Sequence, residues 1–244
     1  VDINLQRANA NKLMFRFLKT AVAELEARLC CIEGGNLRNA IPREAFSVIT
    51  VPKGNEDDLM NAVAEFEALF TDEFSGVEEG ISFKAEPTDR IKGLMPEEIQ
   101  DDLINAITAC PNGVYRFIPE VPEVVETSNN VAIVKSDGEK VEVKCLIRSS
   151  VESRKEELAS MIESAFSLAG AKVEFSGAYP GWKPNLDSPI LKKMINVYET
   201  NYGKTPKIMI MLSGQECGIL GTHYPQMDMI SFGPTIRFPH SPDE

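Results

Sequence analysis

VAIVKSDGEKVEVKCLIR, residues 131–148, reads as two strands joined by a turn. Val131 to Val134 is a short apolar run, and Val141 to Ile147 is an apolar strand carrying Glu142 and Lys144 in alternation. Between them Ser136-Asp137-Gly138 supplies the residues of a hairpin turn. Strands joined this tightly are antiparallel, because a parallel return needs a crossover of a dozen or more residues. The hairpin therefore predicts an antiparallel sheet and an α+β chain.

The flanking segments extend that reading. Upstream, Val114 to Ile118 is strand-like and follows a helix opened by Pro96-Glu97-Glu98, with Ile99, Leu103, Ile104 and Ile107 on one face and Pro111-Asn112-Gly113 at its end. Ile81 and Phe83 alternate with polar residues and predict a strand. Asn55 to Phe70 predicts a helix capped by Asn55, with acidic residues in its first turn. Ala45 to Val51 and Cys30 to Ile32 predict two more strands, the latter ending at Gly34-Gly35. Ile3 to Leu29 carries a helical apolar face. Downstream, Arg154 to Ala169 is helical and Val173 to Phe175 closes the segment as a strand. The order helix, strand, strand, helix, strand then nearly repeats with one extra strand. It predicts two similar α+β subdomains, each an antiparallel sheet with helices on one face.

The Pro/Gly-rich stretch from Tyr179 to Pro184 marks a domain crossing and divides the chain into residues 1–178 and 179–244. Beyond it come a helix from Pro189 to Tyr202, an apolar strand from Lys207 to Leu212, a short helix from Gln215 and an apolar strand from Met229 to Phe232. Near-continuous apolar strands between helices are the mark of a parallel sheet buried on both faces. Two such strands cannot shield themselves. A truncated α/β piece is the expectation, with its other strands upstream in a longer protein.

Composition excludes several classes. The 244 residues hold 25 Lys and Arg against 37 Asp and Glu, a net charge of −12. That balance opposes a phosphate-backbone binder or a protein docked on anionic lipid, so neither nucleic acid nor a membrane is an expected partner. No apolar run approaches the roughly 20 residues of a membrane-spanning helix. Five cysteines without framework spacing read as reduced thiols in a cytoplasmic protein. No H-E-x-x-H, H-x-D, C-x-x-C or phosphate-binding glycine loop occurs, and the two histidines are His223 and His240. The chain begins at Val1 without an initiator Met and stops at Glu244, and is expected to be a piece of a longer protein.

Four segments could carry chemistry. The tail from Gly233 to Glu244 follows an apolar strand, and His240 with Asp243 and Glu244 reads either as a metal ligand with supporting carboxylates or as a solvated loop. Ser213 to Gly218 lies between a strand and a short helix. Gly214 would let a ligand approach the backbone, and Glu216 is equally explained as an acid in the first helical turn. Cys217 lacks a nearby general base, and His223 reads as a surface residue. Asn39, in the loop after Gly34-Gly35, either presents an amide to a ligand or makes a turn. Arg148 ends an apolar strand, where a guanidinium either clamps a substrate carboxylate or pairs with a local acid.

The segments RANANK (7–12), GGNLRNAIPREAF (34–46), CLIRSS (145–150), GAYPGWKP (177–184), GQECG (214–218) and FGPTIRFPHSPDE (232–244) together resemble the aminoacyl-histidine dipeptidases, the peptidase D branch of the co-catalytic zinc exopeptidases. The resemblance runs through nearly the whole chain in the family's order. It implies a lid domain at residues 1–178 and the returning part of a zinc-binding catalytic domain at 179–244. The implied activity is cytoplasmic hydrolysis of Xaa-His-type dipeptides by water activated between two zinc ions. His240 matches one metal ligand; Asn39 and Arg148 match lid groups that hold substrate; Gly214 and Glu216 fall where the family lines its pocket. The other ligands and the catalytic Glu match nothing here, so no catalytic residue is expected in this chain, and the piece alone should be inactive. Two rival readings accompany this one. The lid serves chiefly as a dimerisation module without chemistry, making a homodimer, or the first part is a small-ligand-binding regulatory domain.

Overall fold

The first of two units, Val1–Ser176, runs in chain order from a 3-10 turn (Asp2–Leu5) through α1 (Ala10–Leu25), β1 (Arg28–Gly34), β2 (Ala45–Thr50), α2 (Glu56–Glu73), α3 (Glu97–Ala109), β3 (Gly113–Ile118), β4 (Val121–Ser136), β5 (Val141–Ser149) and α4 (Glu152–Leu168). These elements belong to a computed structural model that describes residues 2–89, 93–210 and 216–233. The segment from Ile3 to Leu29 is not one helix. Gln6 takes φ +51° after the 3-10 turn, Asn9 caps α1 by accepting from the Lys12 amide, and Glu26 ends it at φ +52°. Leu29 consequently belongs to β1.

All strand pairs are antiparallel, as the hairpin predicted. The two halves do not form separate sandwiches; they share one five-stranded sheet in the order β2-β1-β4-β3, with β5 also on β4. The cause is the length of β4, whose 16 residues pair with β3 near their start and with β1 near their end. β5 pairs with residues 127–136 along the opposite edge. Val141, Val143, Cys145 and Ile147 pack into the core under α1, α3 and α4, while Glu142 and Lys144 are exposed on the other face. Phe15, Leu18, Leu29, Ile32, Ile107, Val131, Val134 and Leu158 are fully buried there.

Residues 81–83 are not a strand. Glu67 Oε1 accepts the Phe83 amide at 2.8 Å, which satisfies that donor without a ladder. The Phe83 ring packs edge-to-face with Phe17 and Phe70, at 4.9 and 5.6 Å between centroids. Nor are residues 173–175 a strand; Val173 packs against the core without a ladder partner among the described residues. The Asn55 side chain makes no capping bond to α2, whose first turn instead carries Glu56, Asp57 and Asp58.

The second unit, Gly177–Glu244, holds α5 (Pro189–Tyr202) and α6 (Glu216–His223). Ser188 caps α5 by accepting from the Leu191 amide, and Asp228 Oδ2 accepts from Ser188 Oγ and the Ile190 amide, both at 2.9 Å. The two expected apolar strands are absent from the described parts, residues 207–210 and 229–232. A strand exists through its neighbour's hydrogen bonds, and no described segment pairs with either one. Met209 and Phe232 are accordingly 66% and 78% exposed.

Candidate functional site

On the edge of β4 shared by β1 and β3, the two neighbours do not meet. β3 begins at Gly113 opposite Asn129, and β1 ends at Gly34 opposite Val134. Side-chain amides bridge the interval. Asn112 Oδ1 accepts the Val131 amide at 2.9 Å, and Asn9 and Asn11 donate to the Val131 carbonyl at 3.1 and 3.2 Å. Each asparagine here replaces a missing strand, because its amide offers the donor and acceptor that a peptide group would offer. Asn9, Asn11, Asn129 and Asn130 are buried, and each donates its side-chain amide to a neighbour, Asn129 to the Pro111 carbonyl at 2.6 Å, while the Oδ1 atoms of Asn11 and Asn129 have no hydrogen-bond partner among the described residues.

The same node carries the loop between β1 and β2. Asn130 Nδ2 donates to the carbonyls of Arg38 at 3.2 Å and Ala40 at 2.7 Å, on either side of the exposed Asn39. At the loop's base, Gly34 and Gly35 permit a backbone approach that no side chain would allow. A Cβ on Gly34 would lie 1.9 Å from Asn11 Oδ1, and one on Gly35, at φ +72°, would lie 1.8 Å from the Ala132 carbonyl oxygen.

Arg148 lies opposite Ser128 on β5, and Asn130 opposite Leu146. Alternation places Ser128, Asn130, Leu146 and Arg148 on the face away from Cys145 and Ile147. The structure thus brings Asn39 and Arg148 to one short stretch of β4, residues 128–130. Arg148 is half-buried, its Nε is fully buried without a hydrogen-bond partner, and it makes no ion pair among the described residues. Glu126, the acid on the same row of β4, is engaged by Arg116 at 3.2 Å. The local-acid explanation of Arg148 finds no partner among the described residues.

Behind this face, Lys12 Nζ donates to the carbonyls of Ile107, Thr108 and Cys110, closing the C-terminal end of α3. Burial lowers the Lys12 pKa. Nearby, the buried Cys110 Sγ donates to the Pro111 carbonyl at 3.6 Å and accepts from Asn129 Nδ2 at 3.8 Å. Cys217 is half-buried on α6 and His223 is exposed in its last turn.

Glu216 is exposed at the start of α6, and Gly214 and His240 lie outside the described residues. Among the described residues, no three His, Cys, Asp or Glu side chains converge on a point where a metal ion would sit. No described helix is long and apolar enough to cross a membrane. The bridging roles of Asn9, Asn112 and Asn130 are not announced by any local motif of the sequence. The available signal was the recurrence of asparagine in RANAN, PNG and SNN, the last inside a strand, where asparagine is disfavoured.

Known proteins place this architecture. Residues 3–78, from the 3-10 turn to just past α2, match the peptidase dimerisation domain. The chain is 42% identical over 243 residues to the cytosol non-specific dipeptidase of Escherichia coli strain K12, covering all of this chain and 50% of that protein. It superposes on the crystal structure of aminoacylhistidine dipeptidase from Vibrio alginolyticus with a TM-score of 0.92 and 46% identity, over 99% of this chain and 49% of that one. It thus spans about half the length of the relatives it matches. Residues 3–78 are thus similar to the peptidase dimerisation domain, and the chain as a whole is similar to about half of each of these two dipeptidases.

Proposed function

We propose that this chain is the substrate-holding lid, with the following part of the catalytic domain, of a cytoplasmic dipeptidase that acts on Xaa-His-type dipeptides. The observation that carries this reading is Arg148. A guanidinium on a folded strand with no acidic partner among the described residues is a ready partner for the free carboxylate of a dipeptide, and its planar fork suits bidentate binding. Asn39, in the loop held by Asn130 two positions along β4 from Ser128, would donate its amide to the scissile carbonyl oxygen as negative charge develops there. From the second unit, the resemblance implies Gly214 and Glu216 as further substrate-binding residues.

Hydrolysis in this class is carried by a pair of zinc ions. The described residues do not form a site for them, and His240, the ligand implied by the resemblance, lies outside that set. His240 would supply one ligand to that pair, and the first unit would bind and orient the substrate. In the active dipeptidase containing it, Arg148→Ala should lower kcat/KM on dipeptides by about tenfold to a hundredfold, the cost of one charge-assisted hydrogen bond of about 1.5–3 kcal/mol. Bound metal content should stay the same. Unchanged kinetics would remove Arg148 from the site.

A second reading, compatible with the first, is that the sheet pairs two copies of the chain. β2 is the terminal strand of the β2-β1-β4-β3 path, and Phe46 on it is 64% exposed. A sheet edge with an exposed aromatic residue is suited to extension by a second copy.

A further inference from the structure

We propose that Asn130 is a positioning residue for Asn39, with Asn9 fixing the orientation of its amide; the inference rests on the reading of Asn39 as a substrate-contacting group. Asn39 sits in an exposed loop that has little packing of its own, with Leu37 58% exposed. Backbone bonds secure the loop at its ends, where the Gly35 amide donates to Glu44 O at 3.3 Å and the Ala10 amide donates to Pro42 O at 3.0 Å. Between those ends, one internal turn bond joins the Ala40 amide to Leu37 O at 3.3 Å. The link from the loop's tip to the sheet is Asn130, which is buried and grips the peptide carbonyls on both sides of Asn39.

The grip has one orientation. Asn9 Nδ2 donates to Asn130 Oδ1 at 3.2 Å, while both loop carbonyls face Asn130 Nδ2. Turning the Asn130 amide over would oppose two NH₂ groups on one side and set an oxygen against two carbonyl oxygens on the other. Asn9 is itself fixed, since its Oδ1 accepts the Lys12 amide as the cap of α1 and its Nδ2 also reaches Asn112 Oδ1 at 3.1 Å. A relay of two buried amides therefore ties the start of α1 to the backbone on either side of Asn39. Displacing a substrate-contacting group by about 1 Å is enough to cost up to roughly a hundredfold in rate.

The test is a double-mutant cycle in the active dipeptidase that contains this chain, with kcat and KM read separately for wild type, N39A, N130A and N39A/N130A. The expected result is that N39A and N130A each lower kcat by about tenfold to a hundredfold, with KM moving less than about threefold. N130A should then have no further effect in the N39A background, because the group it positions is gone. A purely structural role would lower kcat by the same factor in both backgrounds, and that outcome, or an inert N130A beside a damaging N39A, overturns the proposal alone. If N39A leaves kcat and KM unchanged, the proposal falls together with the reading of Asn39. Asn9→Ser keeps an acceptor for the α1 cap and removes the donor to Asn130; it runs the same cycle should N130A fail to fold. Amide exchange supplies a readout free of catalysis: N130A should speed exchange at Ala40 by at least tenfold, and an unchanged rate there would contradict the clamp.

Discussion

A Cβ on Gly35 would stand 1.8 Å from the Ala132 carbonyl oxygen, and the residue holds φ +72°, so two independent costs fall on any replacement. Gly35→Ala should destabilise the chain by about 2–4 kcal/mol, part from the left-handed backbone and part from the displaced β4 carbonyl. A lowered urea midpoint with an unchanged slope is the expected observation, and a midpoint equal to wild type would refute the close approach. Gly34 and Gly35 are readable in the sequence as the end of a strand, but the reason for both is not. Their neighbours are Asn11 and Ala132, 23 and 97 positions away, and no local pattern announces a contact of that range. Arg148 shows the same limit from the other side. Its place at a strand end is local and legible; whether an acid answers it depends on Glu126 and Arg116 across two other strands.

The β4–β5 hairpin was legible because its information is local: apolar runs, then a turn whose Asp137 Oδ1 accepts the amides of Glu139 and Lys140, both at 3.0 Å. These bonds favour the carboxylate and hold the Asp137 pKa below its usual range. The sign follows. A carboxyl with a depressed folded pKa contributes stability that is fully present above its unfolded pKa and is lost as pH falls through the folded value. The stability difference between wild type and Asp137→Ala should therefore be steady near neutral pH and shrink on strong acidification, measured by urea titration at several pH values; a difference that grew in acid would contradict the assignment. Elements whose partners are distant were harder to read. The buried Thr127-Ser128-Asn129-Asn130 run concealed the first half of β4, because Thr127, Asn129 and Asn130 bond to Ser149, to Pro111 and to the Asn39 loop rather than to solvent. Residues 81–83 have the alternation of a strand, yet a glutamate takes the hydrogen bond a ladder would have made. Residues 207–210 and 229–232 have strand composition without a described neighbour, and composition alone cannot supply one.

At the scale of the whole molecule, a peptidase dimerisation match over residues 3–78 coincides with an open β2 edge and an exposed Phe46. Light scattering should give a mass twice the 27.0 kDa of the chain. Phe46→Asp should raise the dissociation constant about tenfold or more, since burying a phenylalanine contributes about 1.5–3 kcal/mol. A monomer at every concentration would contradict the dimer. In the proposed function the first unit holds the substrate's free carboxylate through Arg148. The most direct test compares kcat/KM for an Xaa-His dipeptide and for the same dipeptide amidated at its C-terminus, in the active dipeptidase and in its Arg148→Ala variant. Wild type should prefer the free acid by about tenfold to a hundredfold, and Arg148→Ala should abolish that preference by slowing the acid while leaving the amide nearly unchanged. A preference that survives Arg148→Ala intact would contradict the account.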